Sequence, residues 1–340
     1  MSRQLLMKRY SSAAALTCSL LCFGITALAM VTSFYGWPFL LEVLSHFQVQ
    51  YFLGAIALTL ITLCLKRSRF TLATLFLSAI LSAQLLTWYA IPLPLAQAAA
   101  SDRPNTYKVV SANLWTRNTD AKRVLAFLQK EQPDLAILME VNEVMSQQLA
   151  AALATSLPYS SDQLTPYRLG TVLYSKTPLT DVQLQKFNTR SAANMTARTE
   201  VAGTPISVVA IHPFPPIRPE LFADRNQAFA AVSEYVNQQF DPVILAGDFN
   251  STMWSPYYRQ LARKTGLKNS RDGFGILPTW PSKLDYLRLP RFNALTRLVQ
   301  IPIDHCLASP SLKVVGMHTG PDLASDHLPI VVDFQLEGAA

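Results

Sequence analysis

The chain has 340 residues, of which 50% are hydrophobic and only 15% charged, with a formal net charge of +7. An ordinary soluble domain carries about 25% charged residues, so the composition excludes a chain that is a plain soluble domain throughout. The shortfall is concentrated in residues 1–100, which hold six Lys/Arg and one acid, so the net charge divides into about +5 there and about +2 in the remainder.

No Lys or Arg occurs between Arg9 and Lys66. That stretch is too long for one helix, since roughly 20 apolar residues span a bilayer. Trp37-Pro38, Glu42 and His46 interrupt it. The pattern predicts transmembrane helices near residues 13–34, 47–65 and 70–91, helices being the form that satisfies backbone polar groups in lipid. Arg3, Lys8 and Arg9 precede the first helix. Lys66, Arg67 and Arg69 separate the second from the third. The positive-inside rule puts both basic segments in the cytoplasm, so everything after residue 91 is expected outside, as an extracytoplasmic domain. A cleaved signal peptide is the competing reading, because Ala27-Leu28-Ala29 and Ala96-Gln97-Ala98 have the small-x-small form. The long apolar run and the two further apolar segments count against it. The four cysteines show no zinc spacing and no disulfide framework.

Residues 1–91 are therefore read as the membrane anchor, 92–106 as a Pro- and Ala-rich linker and 107–340 as a second domain. From Tyr107 onward, short β-rich runs are predicted at 107–112, 135–139, 171–174, 206–211, 243–246, 303–307, 312–318 and 330–334. Helical segments at 120–131, 143–157, 225–239 and 257–265 lie between some of them, with Asp120 placed to cap the first. This is an α/β arrangement of sheets covered by helices.

Polar residues recur at the ends of these apolar runs. They are Asn113, Glu140, His212, Asp248 with Asn250, Asp304 with His305, and Asp326 with His327. Charged groups in such places are costly unless paired or bound to a metal. One alone is explained by a turn or a satisfied polar side chain; the set points to convergence on one site. Carboxylate and amide oxygens without cysteines suit a hard cation, Mg²⁺ with Mn²⁺ as substitute, rather than Zn²⁺. Histidines beside such a cation suit phosphoryl chemistry. There is no phosphate-binding loop, dinucleotide fingerprint or serine nucleophile elbow.

Ser-Ala-Asn113-Leu, Leu-Met-Glu140-Val, Ile-His212-Pro, Ala-Gly-Asp248-Phe-Asn250, Pro-Ile-Asp304-His and Ser-Asp326-His327-Leu-Pro resemble, in order, the motifs of the endonuclease/exonuclease/phosphatase (DNase I-like) family. The resemblance covers about residues 107–336 and implies that residues 107–340 are a catalytic domain. The His-Pro-Phe-Pro-Pro run and the leading helices look most like its bacterial membrane-bound branch, which implies a bacterial inner-membrane protein whose catalytic domain is extracytoplasmic. It implies a four-layer α/β sandwich, two packed β-sheets flanked by helices, preceded here by three transmembrane helices. It implies Glu140, Asp326 and Asn113 as metal residues, and Asp248 and Asn250 as the pair that orients water and phosphate. It further implies His327, positioned by Asp304, and His212 as phosphate-contacting histidines, with Asn113 and Arg198 on the substrate. Trp115 stands where some relatives carry an acid, and the acid that supports the second histidine in pancreatic-type deoxyribonuclease has no clear counterpart: Glu200 and Glu143 are candidates, each more simply read as a solvated surface acid.

The implied activity is metal-dependent hydrolysis of a phosphate ester. The expected partners are the lipid bilayer and a phosphoester substrate: nucleic acid, phospholipid or a small phosphoester. No obligate protein partner is evident. The alternative is an inactive membrane-tethered binding or adaptor protein of the same fold.

Overall fold

The computed structural model describes residues 3–89, 106–161, 170–188 and 194–336. The chain forms two compact units, one of residues 1–89 with 254–256 and one of residues 90–253 with 257–340.

The first unit is a helical bundle. It comprises α1 (Arg3–Tyr35), the short α2 (Phe39–Ser45), α3 (Gln48–Cys64) and α4 (Ser68–Leu86). α1 and α4 are each long and apolar enough to cross a membrane; α2 and α3 qualify only as one span bent by 66°. The bend falls where the sequence places Glu42 and His46. These lie one turn apart, with Oε2 and Nε2 3.5 Å from each other. Small side chains, Cys22, Ala29 and Ala55, let the helices approach around Leu81. Hydroxyl pairs join α3 to α4, Thr59 with Ser78 and Thr62 with Thr74, both at 3.1 Å. The Arg67 guanidinium donates to the Lys8 carbonyl and the Ser11 hydroxyl, so the start of α1 and the α3–α4 turn share one end of the bundle.

The second unit is built on two mixed six-stranded sheets. The first runs β11 (Leu312–Thr319), β12 (Ile330–Leu336), β1 (Thr106–Asn113), β2 (Leu135–Val141), β4 (Gly170–Ser175), β3 (Tyr159–Ser160). The second runs β5 (Thr180–Gln185), β6 (Asn194–Val201), β7 (Thr204–Ile211), β8 (Val243–Asp248), β10 (Asp304–Ala308), β9 (Lys268–Asn269). Alternation decides what each strand buries. Tyr107 and Val109 of β1 face the core between the sheets, with Ile137, Leu173, Val208, Ala246 and Cys306. Val110 and Ala112 face outward, under α5 (Ala121–Glu131) and α6 (Glu143–Leu153). α7 (Pro219–Asn237) buries Ala228, Phe229 and Val232, and α8 (Pro256–Thr265) completes the longer helices. Both sheets are thus flanked by helices, as expected.

Several local expectations need adjustment. The linker reading falls on residues outside those described, except Thr106, which already belongs to β1. β5, β6 and the short β3 and β9 are strands that alternation did not reveal, because β5 is mostly exposed and β6 carries Thr, Asn and Arg among its apolar residues. α7 starts at Pro219, six residues before the expected start, where Pro at the first helical position lacks the N–H that an N-terminus leaves unused. Asp120 does cap α5, accepting from Arg123 N at 3.1 Å.

Candidate active site

Parallel pairing of β1 with β2 and of β7 with β8 brings the C-terminal ends of four strands to one edge of the sandwich. Those ends carry Asn113, Glu140, His212 and Asp248. β10 runs antiparallel to β8 and aligns Asp304 with Asp248. β12 runs antiparallel to β1, so the loop preceding it, with Asp326 and His327, arrives at the same edge. That loop is stitched down: Ser325 Oγ donates to the Asn113 carbonyl at 2.7 Å, and Asn118 donates to the Leu323 carbonyl at 2.8 Å.

The backbone is bent to aim these groups. Glu140 sits at φ 55° beside a β-bulge, and Asn250 at φ 47°. Non-glycine residues rarely occupy this region, at a cost of order 1–3 kcal/mol each, and such strain gathers at functional sites. Gly247 has φ 145°, and a Cβ there would stand 2.0 Å from the Ile211 carbonyl oxygen; only glycine lets β7 and β8 meet so closely just before Asp248.

Glu140 is held at both oxygens. Oε1 accepts from Asn113 Nδ2 at 3.1 Å, and Oε2 accepts from the Thr116 N–H at 3.0 Å and its hydroxyl at 2.8 Å. Burial alone would raise its pKa, but His212 and these donors outweigh that and hold it below the ordinary carboxylate value. Asp248 Oδ2 accepts from Asn113 Nδ2 at 3.2 Å and Asn250 Nδ2 at 3.3 Å; Oδ1 accepts from Asn250 N at 2.8 Å. Its complete burial nevertheless pushes its pKa up to about 6. His212 Nε2 lies 3.6 Å from both Glu140 Oε1 and Asp248 Oδ2.

His327 Nδ1 is bonded to Asp304 Oδ2 at 2.8 Å, leaving Nε2 3.7 Å from Asp248 Oδ2. Burial works against its proton, yet Asp304 and Asp248 raise its pKa to about 10. An imidazolium at neutral pH is the result. Asp326 has its pKa raised, first by burial and then, against the pull of His327, by the negative charge of Glu140. Its Oδ2 lies 3.4 Å from Trp280 Nε1.

A divalent cation fits this donor set. The edge gathers the carboxylates of residues 140, 248, 304 and 326, and Asp304 Oδ1 is buried with no hydrogen-bond partner among the described residues. Ligating atoms of Asp248, Asp304 and His327 fall within 4.8 Å of one another. A cation among those three would have to displace a proton that His327 holds firmly. Glu140 and Asp326, whose charges are close enough for Glu140 to raise the Asp326 pKa, offer a second set of hard carboxylate oxygens at the same edge.

Eight of the nine residues singled out from the sequence therefore meet at one edge. Arg198 does not. It pairs with Ser207 on β7, and Ser207 with Val243, the opposite end of β8 from Asp248; five residues of strand, ~16 Å, separate the two ends. Its guanidinium instead pairs with Asp241 and Asp181. Asn113 also departs from expectation: its nitrogen faces the carboxylates, while its oxygen accepts from Trp115 N at 3.0 Å. It is placed as a donor that orients them, not as a cation ligand. The His212 backbone N–H donates to the Asn194 side-chain oxygen at 3.2 Å. His305 is fully buried between Arg271, 2.9 Å from Nδ1, and the Ser251 carbonyl, 2.8 Å from Nε2.

Four contributors escaped the sequence reading: Thr116, Asn142, Trp280 and Arg225. Asn142 donates to the Thr116 and Asn118 carbonyls, fixing the loop that holds Glu140. Arg225 is fully buried and donates to the Asn250 carbonyl at 3.0 Å. An arginine on the inner face of a helix was the available signal for the last; the others sit in loops without periodicity.

The family model for the endonuclease/exonuclease/phosphatase family matches residues 110–327. No curated protein matches the chain. Among solved structures, an endonuclease/exonuclease/phosphatase from Beutenbergia cavernae is similar at 22% identity and TM-score 0.53, over 69% of this chain and 73% of that one. Sphingomyelinase C from Streptomyces griseocarneus is similar at 18% identity and TM-score 0.50, over 68% and 99%. D. rerio TDP2 complexed with a single-strand DNA product is similar at 15% identity and TM-score 0.53, over 68% and 100%. At these identities the structures share the fold alone. The family match, spanning well over half of the chain and every strand-end motif from β1 to His327, makes this protein a member of the endonuclease/exonuclease/phosphatase family, whose enzymes are divalent-metal-dependent phosphoester hydrolases.

Proposed function

We propose that this chain is a membrane-anchored, Mg²⁺-dependent hydrolase of phosphate esters. Residues 107–340 form its catalytic domain, and the helices before residue 91 form three spans that hold it outside the cytoplasm. The observation that carries the catalytic reading is the clamped His327, bonded to Asp304 through one nitrogen and presenting the other beside Asp248.

Glu140 and Asp326 would hold the ion, which when bound would supply positive charge to the phosphoryl and leaving oxygens. Asp248, with a pKa of about 6, is ionised at neutral pH yet basic enough to take a proton from the attacking water. Asn250 and Asn113 fix its carboxylate and orient the phosphate. His327, held protonated by Asp304, donates from Nε2 to a non-bridging oxygen, and His212 approaches the same phosphate from the Glu140 side. Anchoring is supported by the bundle itself, in which the basic ends of α1 and of the α3–α4 turn meet; the positive-inside rule places that end in the cytoplasm.

The test is a substrate panel of DNA, RNA, phospholipids, lipid diphosphates and sugar phosphates, using the full chain in detergent with Mg²⁺ or EDTA. Mg²⁺-dependent turnover lost in Glu140→Ala is the expected result. Full Mg²⁺-dependent activity in Glu140→Ala refutes the assignment, and no turnover on any substrate favours a non-catalytic tether.

A further inference from the structure

Trp280 and Ile301 pair through an isolated bridge, with Trp280 N donating to Ile301 O at 3.0 Å and Ile301 N to Trp280 O at 2.7 Å. Between them the chain makes an excursion of 3₁₀ turns at Leu284–Leu287 and Pro290–Leu295 followed by the one-turn helix α9 (Thr296–Val299). This excursion exposes large apolar side chains: Leu289 is 46% exposed, Phe292 51%, Leu295 47% and Val299 40%. Exposed arginines 288, 291 and 297 are interleaved with them. Single exposed apolar residues are ordinary; several on one short segment mark an interaction surface.

The neck of the excursion is also a wall of the site. Trp280 Nε1 faces Asp326 Oδ2, and Ser282 N donates to the Asp326 carbonyl at 2.7 Å. Tyr286 meets the edge of Trp115 at 5.1 Å between centroids, and Lys283 pairs with Asp322. Whatever seats on the excursion therefore lies next to the carboxylate proposed to hold the ion.

We infer that residues 284–299 form an interfacial arm that seats on an anionic phospholipid surface, and that the site takes a phosphoester carried in that surface. The substrate half of this inference rests on the hydrolase reading above. Aliphatic and aromatic side chains alternating with arginine match a layer whose interior is apolar and whose headgroups are negative. Single-stranded nucleic acid is the less suitable occupant: bases stack on aromatic faces, and Leu289, Leu295 and Val299 offer none. Two helices of this chain are long and apolar enough to cross a membrane, and on the anchored reading proposed above they keep such a surface at hand.

A polarity-sensitive dye on Leu295→Cys reads the arm directly. The full chain, with Cys18→Ser and Cys64→Ser to leave only the buried Cys22 and Cys306, is reconstituted in vesicles of phosphatidylcholine alone or with an equal part of phosphatidylglycerol. The expected result is a blue shift and quenching by doxyl-lipids, larger with phosphatidylglycerol, and neither for the same dye on the exposed Lys313→Cys. A dye at 295 that behaves like the dye at 313 in both vesicles overturns the arm. So does a shift produced by single-stranded oligonucleotide but not by phosphatidylglycerol.

A second measurement reads the substrate. Reversing Arg288, Arg291 and Arg297 to Glu is expected to lower hydrolysis of a vesicle-borne phosphoester by roughly tenfold or more, leaving hydrolysis of soluble bis(p-nitrophenyl) phosphate unchanged and so showing an intact fold. Equal activity on the vesicle substrate overturns the lipid assignment. Absence of hydrolysis of either substrate by the unsubstituted chain sinks the hydrolase reading instead, and the dye still decides the arm.

Discussion

At the scale of single residues, the site is an exercise in opposing burial with charge. His327 and Asp248 are both shut away from water, which penalises the charged form of each. Their proximity, with Asp304 behind, restores a cation on the histidine up to about pH 10, while Asp248 still gains a proton near pH 6. Activity should therefore fall below a pH of about 6 and again through about 10. Asp304→Asn should move the alkaline limb down toward the ordinary histidine value of 6.5. A pH–rate profile on any turned-over phosphoester checks this; an unmoved limb contradicts the role of Asp304. The same substitution, or His327→Ala, should cost ~10²–10⁴ in rate. Linkage gives a second readout. The folded state holds the His327 proton more tightly than the unfolded chain does. This contribution is fully present below about pH 6.5 and is lost as pH rises through about 10. Denaturant midpoints of the metal-free protein should decline over that window, and less so in Asp304→Asn.

At the scale of elements, the site depends on strands that end where they do and loops that are tied back to them. Gly247→Ala forces a Cβ into the Ile211 carbonyl at a left-handed φ, so a loss of at least ~2 kcal/mol is expected, with reduced activity because Asp248 follows directly. Asp120→Ala, by contrast, removes only the cap of α5, and should lower stability by about 1 kcal/mol without touching kcat; the exposed Asp120–Arg123 ion pair adds little. Denaturant titration of both variants separates the two effects, and equal losses would contradict the close-approach argument. Thr116 and Asn142 show the same logic in a loop: a hydroxyl and an amide fix Glu140 through groups that lie outside any strand.

At the scale of the whole molecule, the charge asymmetry and the apolar helices predict a fixed orientation. Alkaline carbonate should leave the full chain with the membrane fraction. Protease added outside intact spheroplasts should cleave within residues 107–340, whereas cleavage only after permeabilisation reverses the topology. On the proposed three-span topology the α2–α3 pair, bent by 66°, is the second crossing; a mapping in which residues 48–64 fail to cross leaves an even number of spans and puts residues 107–340 inside. Activity should also vanish on chelation and return with a divalent cation.

The sequence by itself determined the helical N-terminal region, the α/β character of the rest and the residue types that surround the site. Each of these follows from local pattern: long apolar runs, alternation with period two, and costly polar groups at the ends of β-runs. Asn113, Glu140, Asp248, Asp304 and Asp326 could be singled out because each interrupts an apolar run at its end. Only the tertiary structure decided which of the marked residues meet. Strand register sent Arg198 to the far end of its sheet, where Asp241 and Asp181 engage it. Thr116, Asn142 and Trp280 lie in loops without periodicity, and the buried Arg225 is marked only by being an arginine on the inner face of a helix. Their importance comes from partners about 24 to 46 residues away in the chain, and such pairings exist only once the strands have chosen their neighbours.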